Sequence, residues 1–181
     1  MSPNHGCRRA RTRAACALLG ALASTSPPLL ADAWQLDALV PGSPLRSIHG
    51  LAFGPDAMIY AGSVLGQSIH RIDPDSGASE VFVPPPAGLA DDIEFAPHGT
   101  MYWTGFSNGT MNALDPGGEP RVIASGLPGL NSLALDARGR LFGTQVFLGD
   151  ALWEFDTAGK QLPRLVKKDL GGLNGFDFGP D

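Results

Sequence analysis

Gly50-Leu51-Ala52-Phe53-Gly54-Pro55-Asp56 is the stretch that decides the fold, because its pattern returns three times. It comes back as Asp92-Ile93-Glu94-Phe95-Ala96-Pro97-His98, as Ser132-Leu133-Ala134-Leu135-Asp136-Ala137-Arg138, and as Gly175-Phe176-Asp177-Phe178-Gly179-Pro180-Asp181. The anchors Phe53, Phe95, Leu135 and Phe178 stand 42, 40 and 43 residues apart. A second marker keeps the same phase: Asp73-Pro74, Asp115-Pro116 and Asp156-Thr157 follow the first three anchors by 20, 20 and 21 residues. Two markers in phase over three units define a repeat, and a period near 40 points to a repeat architecture.

Each unit divides into four short apolar segments separated by turn residues. In the first, residues 50–53, 58–61, 68–72 and 80–83 are predicted strands, with Gly54-Pro55-Asp56 and Asp73-Pro74-Asp75-Ser76-Gly77 as turns. The second unit repeats this over 101–104, 110–114 and 121–124, and the third over 140–144, 151–155 and 164–167. No window of helical length carries an apolar stripe of period 3.6, so no helix is expected beyond the N-terminal region. Four strands in each unit make the blade of a β-propeller. The expected architecture is all-β: three four-stranded blades (49–88, 89–129 and 130–172), then the inner strand of a fourth from residue 173, within a propeller region spanning 34–181. Closure of a propeller takes about four to eight blades, so the expectation is a partial or truncated propeller. Residues 34–40 read as a further single strand, and residues 175–178 as a lone inner strand.

The first 33 residues differ in kind. Arg8, Arg9, Arg11 and Arg13 precede an apolar run over residues 14–23, and Ala31-Asp32-Ala33 offers a small-x-small cleavage site. This reads as a signal peptide cut after Ala33, leaving an exported periplasmic or secreted protein with no membrane attachment. The run is well short of the roughly 20 residues that span a bilayer. Cys7 and Cys16 both fall in the removed segment, so residues 34–181 hold no thiol for a disulfide, a metal or a nucleophile. The same residues carry nine basic against seventeen acidic side chains, a net charge of −8. Nucleic acid is excluded as a partner by that sign.

The inner strands of a propeller all start at one face, so the residues just before them converge on the channel. Four positions before each anchor stand His49, Asp91, Asn131 and Asn174, all polar, ahead of mostly apolar positions. The oxygens of Asp91, Asn131 and Asn174 suit a divalent metal, calcium first, which takes six to eight oxygen ligands. An imidazole such as that of His49 suits zinc or another transition metal better. Asp92 adjoins Asp91, and the order of the two roles stays open: one carboxylate could bind and the other orient a water. The plainer alternative is turn chemistry, with Asn and Asp bonded to nearby backbone.

The chain also resembles the gluconolactonase, regucalcin (senescence marker protein) and luciferin-regenerating-enzyme-like proteins. The resemblance rests on Asn174-Gly175-Phe176-Asp177-Phe178-Gly179-Pro180-Asp181, on His49-Gly50-Leu51-Ala52-Phe53 and on the blade period. It implies a six-bladed propeller that holds one divalent metal through a Glu, two Asn and an Asp, and a lactone substrate. Asn174, Asn131 and Asp91 match the family's ligand positions, whereas the Glu position is His49. That departure weakens a calcium site and leaves His49 as a candidate general base beside Asp92. Strictosidine-synthase-like and streptogramin-lyase-like propellers share the same blade signals.

Loops between second and third strands open on the same face and suggest substrate contacts, Asn108 and Gln145 among them. Trp103 and Trp153 read as packing between blades, and His70 and His98 as surface residues. Asp56, His98 and Arg138, which follow inner strands, belong to the opposite face. Two functions remain: a metal-dependent hydrolase of the sugar-lactonase type, whole or truncated, or a non-catalytic exported propeller that binds a small molecule or a partner protein.

Overall fold

The computed structural model describes residues 35–42 and 45–179. The signal peptide expected over residues 1–33 lies outside them, as does Trp34. Three four-stranded antiparallel sheets account for the strands, and there is no helix among the described residues. Blade 1 comprises β1 (Ile48–Phe53), β2 (Ile59–Ser63), β3 (Ser68–Ile72) and β4 (Ser79–Val83). Blade 2 comprises β5 (Asp92–Phe95), β6 (Met101–Gly105), β7 (Thr110–Leu114) and β8 (Arg121–Ala124). Blade 3 comprises β9 (Leu130–Leu135), β10 (Leu141–Gln145), β11 (Ala151–Phe155) and β12 (Arg164–Lys168). In every blade the strands pair in chain order, and the inner strand β5 neighbours both β1 and β9.

The two repeated turns owe their shape to one residue type. Asp73 Oδ1 accepts from the backbone N–H groups of Asp75 at 2.8 Å and Ser76 at 3.0 Å, and the Asp156 carboxylate accepts from those of Ala158, Lys160 and Gln161. Asp136 does the same after β9, taking the N–H groups of Arg138 and Arg140 at 2.9 Å each. A carboxylate that gathers backbone donors ends one strand and starts the next, whereas Asp115, at the same phase as Asp73 and Asp156, accepts instead from Thr100 Oγ1 at 2.7 Å.

Packing occurs between blades. Tyr60, Ile69, Val83, Ala90, Ile93, Met101 and Trp103 form the core between blades 1 and 2. Tyr102, Met111, Ile123, Leu130, Leu133, Leu141 and Phe155 are the larger members of a second core between blades 2 and 3, with Trp153 packed against it. Each large side chain buried this way contributes about 1.5–3 kcal/mol. The inner strands approach so closely that a Cβ at Gly50 would stand 2.6 Å from Cα of Asp92, and one at Gly62 would stand 2.5 Å from the carbonyl oxygen of Ala90.

Three expectations change. His70 is buried, 4% exposed, because β3 turns it to the same side as Ala61, and it bonds Ser68 Oγ at 3.0 Å. Residues 175–178 form no strand, since no second strand lies beside them among the described residues; Phe178 instead packs edge-on against Phe142 with centroids 5.3 Å apart. Residues 35–40 form no strand either. His98 is exposed and Trp103 is 1% exposed, as expected.

Candidate active site at the inner-strand starts

His49 lies in β1 where the register slips between Ile48 and Leu51, and Asn131 lies in β9 where a similar irregularity falls opposite β10. A bulge of this kind bends the strand and re-aims a side chain. Asp91 immediately precedes β5, held by its own N–H donating to the carbonyl of Thr104 at 2.8 Å. Asn174 is placed without a strand: Thr144 Oγ1 donates to its carbonyl at 2.8 Å. Thr104 Oγ1 makes the same bond to the carbonyl of Asn131. Of the four positions chosen by counting, the third and fourth are therefore held alike.

A linear chain of contacts links these residues. Asp91 Oδ1 is 2.7 Å from His49 Nδ1, Asp91 Oδ2 accepts from Asn131 Nδ2 at 2.6 Å, and His49 Nε2 is 3.2 Å from Ser47 Oγ. The Asp91 side chain is 5% exposed and that of His49 is 49% exposed. Burial pushes the Asp91 carboxyl above the usual carboxylate range, the His49 imidazole works against that shift, and Asp92 adds to it. An ionised Asp91 only accepts, so His49 presents Nδ1–H to it, and in the neutral imidazole Nε2 is then the acceptor.

Asp92 is committed elsewhere. Its Oδ2 accepts from Ser132 Oγ at 3.0 Å and from the N–H of Leu133 at 2.9 Å, and its Oδ1 accepts from the N–H of Ile93 at 2.9 Å. This carboxylate stitches blade 2 to blade 3.

A cavity of about 550 Å³ opens over these residues. His49, Asp91, Asp92, Asn131 and Asn174 all line it, so the candidate catalytic and metal positions share one space. Asn108 and Gln145 do not line it. Gln145 Nε2 donates to the carbonyl of Pro128 at 2.8 Å while Oε1 accepts from Trp153 Nε1 at 3.1 Å, and Asn108 Oδ1 accepts from Thr110 Oγ1 at 2.8 Å within its own turn. The apolar wall comprises Val64, Phe106 and Phe147, all three in the loops between second and third strands where substrate contacts were expected. The two phenylalanine rings meet edge-on at 6.2 Å. Ser47 was missed from the sequence; its signal was its place two residues before His49.

The carboxylates at this cavity already hold hydrogen-bond partners. Both oxygens of Asp91 are engaged by His49 and Asn131, Asp92 is tied across the blades, and no group of three His, Cys, Asp or Glu residues is arranged to hold a metal among the described residues. A calcium ion takes six to eight oxygens, and Asn131 and Asn174 stand on this wall beside Asp91 and Asp92.

No protein-family profile and no curated protein matches this sequence. Solved structures do. A gluconolactonase from Xanthomonas campestris superimposes with a TM-score of 0.64 at 18% identity, covering 79% of this chain and 56% of its own. Virginiamycin B lyase from Staphylococcus aureus gives 0.62 at 17% identity, covering 74% and 46%. A chain of the nidogen/laminin complex gives 0.62 at 24% identity, covering 73% and 52%. This chain thus spans about half the length of the structures it matches. At such identities the likeness establishes the fold, and the fold is that of a β-propeller.

Proposed function

We propose that the cavity at the inner-strand starts hydrolyses an ester or lactone, with His49 as general base. One observation carries this reading. The imidazole is held from behind by a buried carboxylate at 2.7 Å, while its other nitrogen faces a cavity large enough for a small molecule. An imidazole so oriented takes a proton from an attacking hydroxyl and returns it to the leaving oxygen, which is the work of a general acid–base group. Asp91 fixes the tautomer and steadies the imidazolium, and Asn131 holds Asp91 in place. Phe106 and Phe147 supply an apolar wall, and Asn174 a polar one, for a substrate the size of a sugar lactone.

Solved lactonase and lyase propellers among the structural neighbours support a hydrolase of the sugar-lactonase type, without fixing the substrate. The Asp91 and Asp92 carboxylates already have hydrogen-bond partners, and the proposal routes no step through a divalent cation. Turnover of glucono-δ-lactone and of p-nitrophenyl acetate by the full chain tests the proposal. Loss of both activities in His49→Ala, with an unchanged circular dichroism spectrum, is the expected result. A parent chain that binds such compounds without turning them over points instead to the non-catalytic exported propeller.

A further inference from the structure

We propose that Ser47 is a nucleophile, and that Ser47, His49 and Asp91 form an acyl-transfer triad. The proposal rests on the hydrolase reading above and replaces water by a side chain as the first attacking group. Ser47 Oγ is 3.2 Å from His49 Nε2, and His49 Nδ1 is 2.7 Å from Asp91 Oδ1. Since Nδ1 carries the proton, the bond at Nε2 is donated by the Ser47 hydroxyl. That is the polarity a base needs to activate a nucleophile, with the base oriented by a third group.

The sequence supplies its own control. Ser-Ile-His occurs twice, as Ser47-Ile48-His49 and as Ser68-Ile69-His70. Residues two apart in an extended strand share a face, which brings Ser68 within 3.0 Å of His70 inside β3, and Ser47, just before β1, meets His49 at the same spacing. The second pair is 4% exposed at each residue and has no carboxylate behind the imidazole. A serine two residues before a histidine is therefore not distinctive by itself. What singles out the first pair is Asp91, 42 residues away in the next blade, together with an exposed position at the cavity.

Backbone conformation adds a second observation. Ser47 has φ of 57°, in the left-handed region, and its carbonyl is pinned by the N–H of Val64 at 3.0 Å. Phe147, across the same cavity, has φ of 62°. Non-glycine residues held there gather at reactive sites, where the surroundings impose the conformation. The side-chain amide of Asn174 has no partner among the described residues and lines the cavity, which makes it the donor available to a developing oxyanion.

The step balances without any further reagent. Ser47 Oγ bonds to the ester or lactone carbonyl carbon as its proton passes to His49 Nε2. The tetrahedral adduct then breaks its C–O ester bond, and the leaving oxygen takes the proton from His49. This leaves acyl-Ser47 and an alcohol, which in a lactone stays on the same molecule. Water next attacks the acyl carbon, gives a proton to His49, and the acyl–Oγ bond breaks. The carboxylic acid departs as Oγ recovers its proton.

Diisopropyl fluorophosphate is the probe, read by intact mass and peptide mapping of the full chain alongside turnover of p-nitrophenyl acetate and glucono-δ-lactone. One adduct per chain is expected, on Ser47, with none on Ser68. Ser47→Gly suits the left-handed backbone, so it retains the fold; it should lose the adduct and about a hundredfold or more of turnover. Asp91→Asn should slow labelling about tenfold or more. Turnover that survives in Ser47→Gly, with an unlabelled parent, overturns the nucleophile and leaves the hydrolase reading standing. Labelled Ser47 without turnover of either compound sustains the nucleophile and overturns that reading. A parent chain neither labelled nor active overturns both.

Discussion

Thr104 of β6 donates its hydroxyl to the backbone carbonyl of Asn131 at the start of β9, and Thr144 of β10 makes the same bond to Asn174 at 2.8 Å. Both hydroxyls are wholly buried, and each also accepts a backbone N–H from its own blade: Asp92 at 3.1 Å and Ser132 at 3.2 Å. One side chain thus satisfies an inner strand and fixes where the next blade's polar residue stands. Thr104→Val keeps the shape and strands two polar groups. It should cost roughly 1–3 kcal/mol in urea unfolding, and Thr104→Ser should recover most of the loss. An unchanged midpoint for the valine variant would remove the latch from the account.

Asp91 organises the site from a buried position on the cavity wall. Asp91→Ala leaves His49 Nδ1 and Asn131 Nδ2 without their acceptor, so turnover should fall about a hundredfold or more. His98→Ala, an exposed turn residue at the other end of an inner strand, should behave like the parent. Equal loss in both variants would mean that the polar ring is turn chemistry only.

Metal removal should leave turnover untouched. The Asp91 and Asp92 oxygens are already taken by His49, Asn131, Ser132 and backbone N–H groups. Dialysis against a chelator should change the rate by less than about twofold, and calcium or zinc should not raise it. Restoration of a lost activity by either ion would overturn the metal-free reading.

Glu94 sits partly buried in β5, and burial, then Asp92 and Asp177, push its carboxyl above the usual range. A carboxyl whose folded pKa is raised is destabilising once it ionises, and neutral at pH values where both folded and unfolded forms are protonated. Glu94→Gln should therefore raise the melting temperature near pH 7, with the gain vanishing as pH falls below about 4.3. Asp73 runs the other way. The Ser76 and Asp75 N–H groups hold its carboxyl low, so its stabilisation is present above about pH 3.9 and lost as pH falls through the folded value. Asp73→Asn should flatten the acid limb of the stability curve; an unaltered limb would contradict the capping role.

Export remains a proposal from the sequence. N-terminal sequencing of the secreted or periplasmic product should begin at Trp34. An intact Met1 on a protein retained in the cytoplasm would overturn it.

The sequence alone determined the blades. Strand positions follow from short apolar segments, and turns from Asp, Gly and Pro, because these preferences act within a few residues; the observed strands β3, β7, β8 and β11 begin and end at the expected residues. Counting from the anchors also put His49, Asp91, Asn131 and Asn174 at one cavity, since a repeat transfers position from blade to blade.

Chemistry was decided by contacts between blades. Nothing local distinguishes Asp91 from Asp92, yet one meets an imidazole while the other spans to Leu133, 41 residues away. Nothing local separates Ser47-Ile48-His49 from Ser68-Ile69-His70, yet only the first receives a carboxylate. The burial of His70, the commitment of Gln145 to Trp153, and the absence of a strand at residues 175–178 are of the same kind. A side chain's partner across some 40 residues depends on how twisted sheets stack and where a bulge turns a strand, and that information exists only once the blades have packed.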